Sequence, residues 1–212
     1  MTPIYHYDLE QRSDEWKLIR LGHFTGTDAG LLPVVGTKRA DGLGVGVEVT
    51  MIKKCSQLIT GVGDYEFEKY ELRVGREREP EAVERYEDLI FPESVTKCGF
   101  VEIGDYFGFS PDGLVGVDGT IEVKCPQPPE YFRYIMFRQI DKDYLCQMQW
   151  GLWITGRKWC DHIVYNPDFG GHPIDVTRIH RDEKLMELFS RKAAAIEAAM
   201  SELLFTYETL SA

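Results

Sequence analysis

The stretch Gly108-Phe-Ser110-Pro-Asp112-Gly-Leu-Val-Gly-Val-Asp-Gly-Thr-Ile-Glu122-Val-Lys124-Cys-Pro126 decides the reading of this chain. Its short β-prone runs are punctuated by Pro111-Asp112-Gly113 and Asp118-Gly119, a pattern of strands joined by turns. In a strand, Glu122 and Lys124 project to one face while Ile121 and Val123 project to the other, so a carboxylate and an ammonium share a local site. Whether Asp112 joins them depends on register. A two-residue turn at Asp118-Gly119 pairs Val117 with Thr120 and sends Asp112 to the wrong face. A three-residue turn with Gly119 left-handed pairs Asp112 with Lys124, and this arrangement, or an irregular start to the first strand, is the one expected. Two carboxylates with backbone oxygen make a hard-oxygen site suited to Mg²⁺ or Mn²⁺, which polarises a phosphodiester and acidifies a bound water. Lys124 would orient or help deprotonate that water and stabilise charge on the phosphate. Against this stands a surface hairpin with an ordinary Glu-Lys pair, since Glu-x-Lys alone is common by chance.

Outward from this segment, Ser13 with Asp14 and Glu15 predicts a helix over roughly residues 14 to 21. Thr25 or Thr27 caps a short helix through Leu32, and Pro33 to Gly46 reads as a mobile Gly-rich connection. A helix over roughly 48 to 60 precedes a charged helical stretch from Asp64 to Leu89, which Pro80 is expected to kink or divide. Val95 to Cys125 reads as an antiparallel meander. Helices near 128–138 and 141–155, strands near 160–166 and 174–179, and a helix from Asp182 to Phe205 complete the pattern. The fold expected is α/β, a central mixed sheet flanked by helices, in one domain over residues 1–212.

Composition bounds the rest. Hydrophobic residues at 43% and charged residues at 28% describe a globular protein. No apolar run approaches the roughly 18 residues of a membrane span, and no secretory signal opens the chain, so a cytoplasmic location without membrane attachment is expected. The five cysteines form an odd, scattered set without a Cys-x-x-Cys pair, which speaks against a disulfide framework, a structural zinc or an iron-sulfur cluster. The histidines show no ligand spacing, and Trp150, Trp153 and Trp159 read as core. A net charge of -11 weighs mildly against nucleic acid, yet binding depends on where basic groups sit rather than on their sum.

Further segments carry a resemblance: Trp16-Lys-Leu-Ile-Arg20-Leu-Gly22, Thr25-Gly-Thr27-Asp-Ala, Gly75-Arg-Glu-Arg-Glu79-Pro-Glu-Ala, Ser110-Pro-Asp112-Gly, Glu122-Val-Lys124-Cys-Pro126 and Gln147-Met-Gln149-Trp-Gly-Leu-Trp153. In this order they resemble the lambda exonuclease family of phage and prophage nucleases, within the Pro-Asp…Glu-x-Lys superfamily and its restriction-endonuclease-like core. The resemblance implies that Asp112, Glu122 and the Val123 carbonyl bind Mg²⁺ (or Mn²⁺) and that Lys124 is the catalytic lysine. It makes Glu79 a contact to metal or metal-bound water, where the alternative is a solvated helix face. Gln147 would sit near the nucleophilic water, with Tyr144 lining the site, while Gln149 packs or touches DNA. Arg20, Thr27 and Ser110 match a pocket for a 5′-phosphate, with threonine standing at position 27 where serine is usual; Arg20 read locally could instead serve the helix C-terminal dipole.

The implied activity is 5′-to-3′ degradation of one strand of linear duplex DNA to mononucleotides, leaving 3′ overhangs for recombination in a bacterial host. A ring-shaped homotrimer and a single-strand annealing protein as partner belong to the same implication. The competing readings are an endonuclease or repair nuclease with this core, and a noncatalytic DNA-end clamp.

Overall fold

The computed structural model describes residues 2–33, 42–63, 70–90 and 94–210, without the side chains of 70–72. Near the N-terminus β1 (Ile4–His6) is followed by α1 (Asp14–Ile19), which starts where the Ser13 hydroxyl accepts the Trp16 N–H. A 3₁₀ turn at Gly26–Leu31 follows, its Thr25 and Asp28 forming a reciprocal capping box. Then come α2 (Val45–Thr60) and α3 (Tyr70–Ile90). The expected mobile connection falls largely on residues 34–41, outside the described residues.

α3 runs through Pro80 undivided, so of the two expected outcomes, a kink or a division, the second does not occur. A proline costs a helix one backbone bond and a steric clash, but tertiary packing overrides that local cost. Ala82 and Tyr86, beyond the proline, are fully buried in a cluster with Val115, Ile121 and Ile163. The Tyr86 hydroxyl also donates to Asp161 Oδ2 at 2.6 Å, and Asp161 takes two 2.8 Å bonds from the Arg178 guanidinium.

Residues 95–125 form strands as expected, but not one meander. β3 (Phe100–Ile103) and β4 (Phe107–Phe109) join β1 in a three-stranded antiparallel sheet. β2 (Val95–Thr96), β5 (Gly113–Val115) and β6 (Gly119–Lys124) enter a second sheet with β7 (Trp159–Tyr165) and β8 (Ile174–His180). Its order is β2-β5-β6-β7-β8, with only β6 and β7 parallel. The chain changes sheets across Ser110-Pro111-Asp112, where Pro111 has no N–H to give a ladder. Groups distant in sequence satisfy carbonyls at and near the crossing: Gln11 Nε2 donates to Pro111 O at 2.8 Å, and Trp16 Nε1 to Gly99 O at 3.0 Å.

The parallel crossover from β6 to β7 carries α4 (Pro128–Phe137) and α5 (Lys142–Thr155), which cover one face of the sheet while α3 covers the other. The long α6 (Glu183–Leu210) closes the main core, where Phe189 meets Trp150 and Trp153 ring to ring. Trp150 and Trp153 are core, as read; Trp159 is half-buried, with the Arg178 guanidinium 3.6 Å from its ring centroid. Among the described residues no helix is long and apolar enough to cross a membrane.

The β5–β6 turn comprises residues 116–118, with Val115 opposite Gly119 and Gly113 opposite Ile121. The left-handed residue is Gly116 (φ 51), not Gly119 as expected. Extending the register places Asp112 opposite Glu122 rather than Lys124, a displacement of two residues that preserves the face. Arg157, almost fully buried, locks the turn by donating through Nη1 to Gly116 O at 2.9 Å and Gly119 O at 2.7 Å. Arg157→Ala is therefore expected to cost about 2–4 kcal/mol, because charge-assisted bonds to the turn's carbonyls are lost, the one to Gly119 O fully buried. Denaturant unfolding checks this, and a wild-type midpoint would remove Arg157 from the role of register clamp.

Candidate active site

Alternation along β6 puts Ile121 and Val123 under α3 and leaves Thr120, Glu122 and Lys124 on the face that α4 and α5 cover. Glu122 is thereby only 2% exposed. Lys124 Nζ donates to Glu122 Oε1 at 2.5 Å and lies 4.6 Å from the centroid of the Tyr144 ring. Asp112 Oδ2 accepts the Val123 N–H at 2.7 Å, so its carboxylate continues the hydrogen bonding of β6 just before β5 begins.

These groups stand at the wall of a cavity of about 480 Å³. Glu79 and Arg76 reach it from α3, Arg133 and Tyr134 from α4, Tyr144 and Gln147 from α5, and His162 from β7. Arg12 enters from the loop before α1. The structure thus brings together Asp112, Glu122, Val123, Lys124, Glu79, Gln147 and Tyr144. It does not bring Gln149, whose side-chain amide donates to His180 O at 2.8 Å and accepts from Asp182 N at 2.9 Å, tying α5 to the turn before α6. Gln149 thus packs, the first of the two roles expected of it, and does not line the cavity.

Of the phosphate-pocket candidates, the structure joins Arg20 and Ser110. Arg20 Nη1 donates to Ser110 Oγ at 3.0 Å, and its guanidinium stacks 4.0 Å from the Trp16 ring centroid. Trp16 Nε1 also donates to Ser110 Oγ at 3.0 Å. Arg20 is the C-cap of α1 as well, so its backbone ends the helix while its side chain reaches across the fold. Thr27 shares a 3.1 Å hydrogen bond with the Thr25 hydroxyl. Its turn is seated on α5, for a Cβ on Gly26 would lie 2.9 Å from Gln147 Cγ.

The electrostatics suit a cation. Burial, then the charges of Glu122 and Glu79, push the Asp112 pKa well above the usual carboxylate range. Burial likewise raises Glu79, with Glu122 adding and Arg12 opposing. Burial works against the Lys124 charge, but Glu122 and Asp112 outweigh it and hold the ammonium above its ordinary pKa. Glu122 Oε2 is buried without a hydrogen-bond partner. No three His, Cys, Asp or Glu among the described residues form a preformed metal cage. A repelling, desolvated, all-oxygen set with an orphaned carboxylate oxygen nonetheless fits a hard divalent ion, which would relieve each of these strains.

His162 is a residue the histidine spacing could not reveal. The parallel register sets it directly beside Glu122. It is 2% exposed, with neither ring nitrogen hydrogen-bonded. Burial, followed by the nearby Lys124 charge, lowers its pKa to about 4, so the imidazole is neutral at physiological pH.

A family model for the YqaJ-like viral recombinase domain matches residues 15–158, more than half of the chain's 212. The chain belongs to this family. Among solved structures it is similar to the alkaline exonuclease LHK-Exo of Laribacter hongkongensis, with 31% identity and a TM-score of 0.75 over 93% of this chain and 100% of that one. LHK-Exo in complex with dAMP matches at 31% identity and TM-score 0.74, with the same 93% and 100% coverage. A phage-related exonuclease from Haemophilus somnus 129PT shares the fold at TM-score 0.66 and 16% identity, over 87% of this chain and 96% of that one. A search of curated proteins returns no match. The lambda-exonuclease-like family and the mixed α/β fold read from the sequence agree with these matches.

Proposed function

We propose that the chain is a divalent-metal-dependent exonuclease that degrades one strand of linear duplex DNA from its 5′ end to mononucleotides. The observation that carries this reading is the pairing of a half-buried Asp112 with a buried Glu122, one Glu122 oxygen unpartnered and Lys124 alongside, at the wall of a cavity. Membership of the YqaJ-like family and likeness to an alkaline exonuclease support a nuclease role.

Asp112, Glu122 and the Val123 carbonyl would hold Mg²⁺ or Mn²⁺; that carbonyl shares an edge of β6 with the N–H given to Asp112. Bound there, the ion would polarise the phosphodiester and acidify a water. Lys124, charged beside Glu122, would donate to the attacking oxygen or to the phosphate as negative charge grows. Glu79 and Gln147 would orient the water from α3 and α5. Arg20, Ser110 and Thr27 would receive the terminal phosphate, whose dianion suits a fixed guanidinium and hydroxyl groups. The guanidiniums of Arg12, Arg76 and Arg133 line the cavity of a chain of net charge -11, which supports local rather than global attraction for DNA.

A cytoplasmic homotrimer that leaves 3′ overhangs for an annealing protein completes the proposal. The exposed Val45, Val49 and Ile52 along one side of α2 offer an apolar surface for subunit contact. Linear duplexes with 5′-phosphate or 5′-hydroxyl ends, and closed circles, incubated with Mg²⁺ and with EDTA, test the activity. Cleavage of linear DNA that requires metal and favours 5′-phosphate is expected, with Arg20→Ala losing most of that preference. Cutting of circles would favour an endonuclease, and DNA-end binding without cleavage under any metal would favour the clamp.

A further inference from the structure

We propose that Arg12 is a phosphate-binding residue, gripping the backbone of the strand as it enters the cavity. The proposal rests on the nuclease reading above and extends it to a residue outside the carboxylate–lysine set.

Arg12 stands in a position that a glycine would ordinarily fill. Ser13 N donates to Glu10 O at 3.2 Å, closing a turn in which Arg12 is the third residue, and its φ is 73. A positive φ at that place is the requirement of a type II turn, which glycine or asparagine meets without a Cβ penalty. The turn is held from both sides: Gln11 Nε2 bonds Pro111 O and Cys98 O, and Ser13 caps α1. Fixed neighbours therefore impose the unfavourable backbone on an arginine, and a strained non-glycine residue at a cavity wall points to a role for its side chain.

The ion pair inside the protein does not supply that role. Arg12 Nη2 is 4.0 Å from Glu79 Oε2, at the outer limit of an ion pair, and the Arg12 side chain is 50% exposed. Such a pair contributes little. The same guanidinium lines the cavity that contains Asp112, Glu122 and Lys124. A planar fork of donors, half in solvent and loosely held at the mouth of a carboxylate site, matches a phosphodiester arriving there. Gln11 anchors this loop to Pro111, the neighbour of Asp112, so the backbone that carries Arg12 is registered to the carboxylate site.

Arg12→Gly and Arg12→Lys separate this role from a structural one. Binding of a linear duplex is measured with Ca²⁺ in place of Mg²⁺ across a salt series, beside thermal unfolding of the free protein. The proposal expects Arg12→Gly to unfold at a higher temperature than wild type yet bind DNA about ten-fold more weakly at low salt. Its plot of log affinity against log salt should lose about 0.9 of slope, one phosphate contact. Arg12→Lys should keep the slope. The ten-fold loss should persist in a Glu79→Gln background, where Arg12 has no carboxylate to position. Wild-type affinity and slope in Arg12→Gly, loss of binding together with lowered unfolding temperature, or disappearance of the effect in the Glu79→Gln background would each overturn the proposal. Wild-type protein that binds no DNA would instead sink the nuclease reading on which it stands.

Discussion

Lys124→Ala should leave a folded protein whose cleavage of linear duplex DNA is slower by at least about a thousand-fold, since loss of one preorganised donor to developing negative charge costs about 10²–10³ and loss of proton management a similar factor. Lys124 Nζ is 2.5 Å from Glu122 Oε1, and no second ammonium lines the cavity among the described residues. The variant also strips Glu122 of its cation. Breaking a fully buried pair costs about 3–5 kcal/mol, and the figure here should be smaller because Lys124 keeps 24% exposure. With its folded pKa raised, the ion pair contributes fully below the ordinary lysine value of 10.5 and fades only as pH climbs through the higher folded value. Single-turnover cleavage and thermal unfolding with and without Mg²⁺ measure both effects. A rate within ten-fold of wild type would remove Lys124 from the mechanism.

Asp112→Asn should separate activity from stability in the opposite direction. An amide oxygen at position 112 can still accept the Val123 N–H, so the end of β6 is kept. The charge is not, and with it goes one of the proposed ligands; several kcal/mol of Lewis-acid stabilisation correspond to a loss of about 10³ in rate or more. Asp112 has a raised folded pKa, so its contribution to stability is present below the ordinary aspartate value of 3.8 and is lost as pH rises through the folded value. Near neutrality the ionised group, half-buried and repelled by Glu122 and Glu79, works against the metal-free fold. The variant should therefore unfold at an equal or higher temperature than wild type without metal at pH 7, and this advantage should shrink as pH falls. Mg²⁺ should stabilise wild type, by about 2.7 kcal/mol at a hundred times its dissociation constant, and the variant far less. A variant less stable than wild type at pH 7 without metal would show that Asp112 is a structural carboxylate.

Much of this site was legible because strand periodicity is strict. The spacing of Asp112, Glu122 and Lys124 gives the right face and the three-residue turn the right length even though the register differs, since a displacement of two residues preserves parity. The left-handed residue of that turn differs because Gly119 is a glycine for another reason. A Cβ there would lie 2.1 Å from the Trp159 ring, so Gly119 permits close approach while Gly116 takes the left-handed turn. Arg157 fixes this outcome from a position 38 residues along the chain from Gly119, beyond any local pattern. The division of residues 95–125 between two sheets depends similarly on Gln11 and Trp16 bonding to Pro111 and Gly99. His162 was invisible for the same reason: only the parallel pairing of β6 with β7 brings it beside Glu122. What the chain states locally, it states well; what it settles by docking distant elements, no short window contains.

The sheet change at Ser110-Pro111-Asp112 has one more consequence for the proposed enzyme. Ser110, on the phosphate-pocket side, and Asp112, on the carboxylate side, are two residues apart, so their Cα atoms cannot separate by more than about 7 Å. Pro111 between them removes one of the freer backbone angles. On the proposed function, the distance from a captured strand end to the bond to be broken would be limited by covalent geometry rather than by the breathing of two domains. The polypeptide would act as a ruler whose length admits a single nucleotide at a time.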